Sequence, residues 1–312
     1  MITRRTSLLL QTLKGEPAGR IAPYNELVNT YEFEEMARRS LAPAVFSEIA
    51  GSDAKAFDKI TFRYRMRDVR ALDLSVDLFG EKLFAPILVG PASLQARFHA
   101  GAELATVRGA SAGKAAVVVA SKTSVALDKL AAEAKTPLFV QVENAEQAKA
   151  AAGLGCKALF YTLNDWAEFE AVRKAVKIPV VVKGIMQAEE AANAVNRGAA
   201  GIVVSNYRAL PAGSVATTID ALPSVASVVA GRVPVFADGS FRRGTDILKA
   251  LALGARAVLI TRPVLWGLAA YGDKGAQQVI EMLQSELARS MVMCGTVNLA
   301  AITRAAVRIH SR

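Results

Sequence analysis

The chain has 312 residues, 52% of them hydrophobic and 21% charged, enough apolar side chain to bury one large core. Its longest unbroken apolar run, Ala115–Ala120, is far shorter than the roughly 20 residues that cross a bilayer, which argues against a membrane partner. The formal charge of +10 raises nucleic acid as a partner, but lysine and arginine are scattered among acidic residues, with the clearest clusters at Arg63–Arg70 and Arg242–Arg243. No basic platform interleaved with aromatics is present, so an ordinary basic surface and no nucleic-acid partner are expected.

In chain order, Arg4 and Arg5 precede three leucines, but Gln11, Lys14 and Glu16 interrupt the apolar stretch that a twin-arginine export signal needs. Residues 1–30 are therefore read as an N-terminal extension of a cytoplasmic protein, the alternative being the remnant of a targeting segment. Residues 31–312 are read as a single domain. Tyr31–Ile49 has the spacing of one or two helices, and Ala71–Phe84 reads as a hairpin turned at Gly80-Glu81. Eight mostly apolar, β-branched runs follow: Pro86–Pro91, Ala115–Ser121, Pro137–Glu143, Ala158–Asn164, Pro179–Gly184, Gly201–Asn206, Val233–Gly239 and Ala257–Arg262. Each is separated from the next by one helix-length segment. Eight βα repeats close a TIM barrel, a (β/α)8 fold whose bottom the preceding helices and hairpin would cap or whose first strand they would brace. Ala276–Ala306 has helical periodicity and is expected on the outside. Cys156 and Cys294 have no metal-ligand spacing and read as buried free thiols, with no metal site.

Chemistry in such a barrel sits where strands end. After the seventh run comes Asp238-Gly239-Ser240-Phe241-Arg242-Arg243-Gly244, and the eighth closes on Thr261-Arg262-Pro263. Small residues let backbone N–H groups approach a phosphate, the following helix offers its positive end, and Arg242 and Arg262 add charge-assisted hydrogen bonds. The blander alternative is that these arginines cap helices or pair with Asp246 and Asp273. Lys183, at the end of a buried strand, needs an anionic partner, either an electron-rich cofactor or a barrel carboxylate.

These motifs, with Ala250–Ala255, Val182-Lys183-Gly184 and Ala199–Asn206, resemble the FMN-dependent 2-hydroxy acid oxidases and dehydrogenases, the glycolate oxidase and lactate oxidase group, from about Tyr31 onward. The resemblance implies an FMN cofactor, a small-molecule substrate and a homo-oligomer. It implies that Ala92 and Ser93 line the flavin with backbone atoms and that Ser121, Gln141 and Thr162 bond its polar edge. Lys183 would sit near its N1, with Asp238, Gly239, Ser240, Arg242 and Arg262 around ribityl and phosphate, and Ser205 near them.

The departures fall on the catalytic set. The family's Ser-Asn-His-Gly-x-Arg reads Ser205-Asn206-Tyr207-Arg208-Ala209-Leu210 here, so Tyr207 stands at the base position. The two histidines of the chain, His99 and His310, lie outside that set. Glu143 replaces a tyrosine, Asn164 an aspartate and Glu48 a second tyrosine, and the connection that carries an arginine in the family is shortened to one helix length. A tyrosine hydroxyl, with an ordinary pKa of about 10, is a poor base at neutral pH, and losing a positioned base costs roughly 10²- to 10⁴-fold. The expectation is an FMN oxidoreductase with altered substrate or chemistry, using Lys183, Tyr207 and Glu143 as catalytic residues. The alternative is a silent FMN-binding protein with a binding or structural role.

Overall fold

A computed structural model describes residues 20–51, 55–65, 68–207 and 216–310. The expected runs form eight parallel strands, all but the fifth shorter than its apolar run: β1 Ile87–Val89, β2 Ala116–Val119, β3 Leu138–Val142, β4 Ala158–Thr162, β5 Val180–Ile185, β6 Gly201–Val204, β7 Val235–Ala237 and β8 Ala257–Ile260. Neighbours in sequence pair in register, and β8 closes on β1 through Val258 with Ile87, Leu259 with Leu88 and Ile260 with Val89. The helices between and after them are α1 Ala102–Ala112, α2 Leu127–Glu133, α3 Ala145–Gly153, α4 Trp166–Ala175, α5 Ala188–Asn196, α6 Thr218–Val229, α7 Gly244–Ala252 and α8 Arg262–Met293.

Alternation along the strands divides the core in two. Ile87, Val89, Val117, Val140, Val182 and Val204 point outward into the large cluster beneath the helices. Leu88, Val118, Phe139, Phe160, Val181, Val203, Phe236 and Leu259 point inward and fill the barrel. The hairpin Val76–Leu78 and Glu81–Leu83 plugs the bottom of this interior, setting Phe79 against Phe139 and Phe236 at 6.0 and 6.1 Å between ring centroids. Its turn falls at Phe79-Gly80, one residue before the expected position. Positive φ at both, 55° and 82°, gives the tight two-residue hairpin turn that matches strand twist.

The leading segment forms two helices, Thr30–Ser40 and Pro43–Ile49. The first is capped by Asn29, whose side chain accepts from the amides of Tyr31 and Glu32. At the other end, the expected helix over Ala276–Ala306 stops at Met293. Gly295 takes φ 65°, and Leu299–Ala301 and Arg304–Ala306 are short 3₁₀ turns leading into a strand, Val307–Ile309, that pairs with Ile60–Phe62. The apolar spacing beyond Met293 therefore reports packing of turns rather than a continuing helix. Helix α8 itself is broken at Gly272, φ 63°. No helix of the described residues is long and apolar enough to cross a membrane.

Candidate active site

One step of two residues beyond the inward apolar layer, the same strand faces turn polar. Phe139 is followed by Gln141, Phe160 by Thr162, Val181 by Lys183, Val203 by Ser205 and Phe236 by Asp238. Five strands thus bring residues from 141 to 238 into one ring at the carboxyl end of the barrel, the end at which this fold places its chemistry. Gln141 donates through Nε2 to Thr162 Oγ1 at 2.8 Å. Lys183 is 5% exposed, and its ammonium donates to Ser205 Oγ at 2.7 Å and is ion-paired with Asp238. Strand β5 runs past Lys183 to Ile185, with a register shift at Gly184, so Lys183 lies inside the strand rather than at its end. The barrel carboxylate foreseen as its alternative partner is Asp238.

Above this ring lies a mouth of less buried groups. Tyr207 is 65% exposed, and the Lys183 ammonium faces its ring 5.5 Å from the centroid. Residues 208–215 lie outside the described residues, and Arg208 with them. Glu143 accepts a hydrogen bond from Ser121 Oγ at 2.8 Å and has Lys122 Nζ 3.8 Å away. The Ser121 hydroxyl, expected at the flavin edge, is thus directed to a neighbouring carboxylate. Ala92 and Ser93 follow β1, their carbonyls accepting from Gln95 Nε2 and Arg97 Nη2 at 3.1 and 3.4 Å. Both histidines are engaged elsewhere: His99 Nδ1 accepts from the Gly101 amide at 2.9 Å, and His310 Nε2 lies 2.7 Å from Thr61 Oγ1.

The segments after β7 and β8 meet at a pair of arginines. Gly239 and Ser240 take φ 91° and 59°, which turns the chain back over the strand end and brings Arg242 inside. Arg242 is 2% exposed; its guanidinium lies over the Trp266 ring at 4.7 Å, Nη1 donates to its neighbour's carbonyl, and Nη2 is buried with no partner. Burial, with the adjacent Arg262 cation, pushes Arg242 down to about 10, while Glu34 acts in the opposite sense. Burial likewise lowers Arg262, whose Nη1 reaches the Ala50 carbonyl at 3.3 Å. The helix-capping alternative applies to the neighbouring residue instead. Arg243 is the N-cap of α7 and binds Glu286, and Asp246 accepts from the Arg242 and Arg243 amides at 3.0 Å each. A buried cation with an unmet donor beside a half-buried one needs an anion, and a phosphate meets that need with the turn's small residues beside it. The residues present therefore fit the phosphate of FMN.

Several contributors escaped the sequence reading because they are distant in the chain. Thr30 Oγ1 donates to the Arg242 carbonyl at 2.6 Å across 212 residues, and Trp266 Nε1 to the Ile49 carbonyl at 2.8 Å. Arg97 forms an ion pair with Glu48 at 2.6 Å. Nothing in local spacing announces such pairs.

Comparison with known proteins agrees with this geometry. The profile of the FMN-dependent dehydrogenase family matches residues 48–163 and 144–309. The chain is 30% identical to a peroxisomal (S)-2-hydroxyacid oxidase of Arabidopsis thaliana, covering 92% of this chain and 98% of the relative, and 30% identical to mouse 2-hydroxyacid oxidase 1, covering 90% and 96%. The first alignment spans 355 positions, more than the 312 residues of this chain, so that relative holds segments absent here. Among solved structures, a mandelate oxidase R163L with 2-hydroxy-phenylacetamide superposes with a TM-score of 0.87 at 29% identity, covering 92% of this chain and all of that one. With the closed barrel, the arginine pair and these matches together, the chain belongs to the FMN-dependent 2-hydroxy acid oxidase and dehydrogenase family, flavoproteins that act on small-molecule substrates.

Proposed function

We propose that this chain is an FMN oxidoreductase whose substrate is not a simple 2-hydroxy acid. The observation that carries the proposal is the group at the end of β6: Tyr207 stands at the mouth, where a histidine base would be needed, while His99 and His310 are bonded elsewhere. The single helix α4 between β4 and β5 supports it, because the one arginine of that connection, Arg173, lies against Gly198 before the start of β6 rather than at the mouth.

In this reading Arg242 and Arg262 hold the phosphate, with the backbone of Gly239 and Ser240 closing on it and Asp238 beside the ribityl chain. Ala92, Ser93, Ser121, Gln141, Thr162 and Ser205 border the ring system. FMN, when bound, supplies the redox chemistry, taking hydrogen and two electrons from a substrate carbon. The Lys183 ammonium, with two of its three donors held by Ser205 and Asp238, has one left for an electron-rich cofactor in a water-poor layer. Glu143 accepts the substrate's hydroxyl proton on a carboxylate oxygen, and Tyr207 Oη donates a hydrogen bond to the substrate oxygen or relays that proton to solvent.

The test is an absorbance spectrum of the purified protein followed by anaerobic addition of glycolate, L-lactate and larger hydroxy compounds. A yellow protein bleached by a larger compound and not by glycolate or lactate is expected. Rapid bleaching by either simple acid would overturn the proposal, and a yellow protein bleached by nothing would favour a silent flavin-binding protein.

A further inference from the structure

The two ends of the site treat charge differently. At the phosphate end, buried Arg242 lies beside half-buried Arg262, and Arg242 Nη2 is left without a partner. At the mouth, Lys122 and Arg97 are each set against a carboxylate, Lys122 with Glu143 at 3.8 Å and Arg97 with Glu48 at 2.6 Å. An end built to receive an anion leaves cationic donors unmet, and an end whose cations are already matched offers an incoming carboxylate only repulsion or exchange.

The Glu48–Arg97 pair is the most constructed of these. Glu48 lies in the helix Pro43–Ile49, whose end is pinned where the Ile49 carbonyl accepts from Trp266 Nε1 and the Ala50 carbonyl from Arg262. Arg97 follows β1, reaches back to the Ser93 carbonyl at 3.4 Å and lies over the Phe98 ring at 4.9 Å. The pair therefore bridges the segments that flank β8 and β1, across the rim of the site. Both side chains are still partly open to solvent, 41% and 44%, so a ligand seated in the mouth would cover them and strengthen the pair by excluding water.

We propose that Glu48 and Arg97 form a specificity-determining pair that selects uncharged hydroxy compounds, such as a hydroxy amide or ester, over the corresponding carboxylates. This rests on the function proposed above. A carboxylate would have to take Arg97 from Glu48 and then lie beside an unpaired Glu48, whereas an amide leaves the pair whole and hydrogen-bonds to its edge.

The experiment uses the FMN-loaded protein and follows the change in flavin absorbance on titration with phenylacetamide against phenylacetate, and with lactamide against L-lactate. The wild type is expected to bind each amide at least about tenfold tighter than its acid. Glu48→Gln frees the Arg97 cation and is expected to move that preference toward the acids by about tenfold or more, and the double variant Glu48→Gln, Arg97→Gln should lose the gain. FMN content read from the same spectra shows that each variant is folded. Tighter binding of the acids by the wild type, an unchanged preference in Glu48→Gln, or no response of either protein to any ligand would each overturn the pair's role. Its failure is separable from failure of the proposed function: acids that bind tightly without bleaching the flavin refute the pair alone, whereas bleaching by L-lactate refutes the function itself.

Discussion

Arg242 is a buried charge with an unmet donor, and its behaviour gives direct tests. Burial and Arg262 depress it to about 10, so the unfolded chain keeps this proton to higher pH than the folded one does. The apoprotein therefore carries a penalty at neutral pH that is relieved as pH rises through that value, or at lower pH by an anion that binds the folded state. Inorganic phosphate is expected to raise the apoprotein's melting midpoint at about pH 8 and to raise it less at about pH 10.5. Arg262→Ala removes one charge-assisted partner of the phosphate and is expected to weaken FMN about 10- to 100-fold, read by quenching of free FMN fluorescence. An Arg262→Ala protein that retains FMN as tightly as wild type would contradict the phosphate seat. The thiols are simpler: burial pushes Cys156 up to about 11 and raises Cys294 as well, so neither should react with iodoacetamide until the protein unfolds.

At the scale of elements, α7 links the phosphate segment to the outer shell. Asp246 accepts from the amides of Arg242 and Arg243, so Asp246→Ala strands two donors and is expected to cost on the order of 2–3 kcal/mol, read from the urea midpoint. Burial raises the pKa of Asp246 despite those bonds, which means that its ionised form is disfavoured in the fold above that pKa. Asp246→Asn keeps an acceptor without that charge and should cost less than the alanine variant. Gly244 opens α7 against the backbone of Glu286 and Leu287 in α8, where a methyl group has no room. At the opposite end, Phe79→Ala removes the ring that closes the barrel on Phe139 and Phe236. A loss of about 2–3 kcal/mol in stability with FMN affinity unchanged is expected, because packing at the bottom of this fold is separated from chemistry at the top.

For the whole molecule, the site is assembled from the leading helices, five inward strand faces and the segments after β1, β7 and β8, so cofactor binding and folding are coupled. Added FMN at about 100 times its dissociation constant should stabilise the fold by about 2.7 kcal/mol, seen as a rise of several degrees in the thermal midpoint, and Arg262→Ala should lose about half of that rise or more. The net charge of +10 contributes less than its size suggests, since Arg242 and Lys183 are buried within the site rather than spread over the surface.

The barrel was legible in the sequence because its signals are local. Eight short β-branched runs, each followed by a helix-length segment, leave few ways to bury both faces of a parallel sheet, and Gly239-Ser240 before Arg242 marks a turn that can face phosphate. The family resemblance, not the strand period, named Gln141, Thr162, Lys183, Ser205 and Asp238 together, and the paired strands set them on one inward face. Helix ends beyond Met293 were misjudged because turn segments can bury apolar residues at helical spacing. What only the tertiary structure decided are the pairings across long separations: Lys183 with Asp238, Thr30 with Arg242, Trp266 with Ile49 and Arg97 with Glu48. Residue identity and period determine which face of a strand or helix is apolar, but which two charges meet depends on barrel closure, and closure is set by the packing of all eight strands at once.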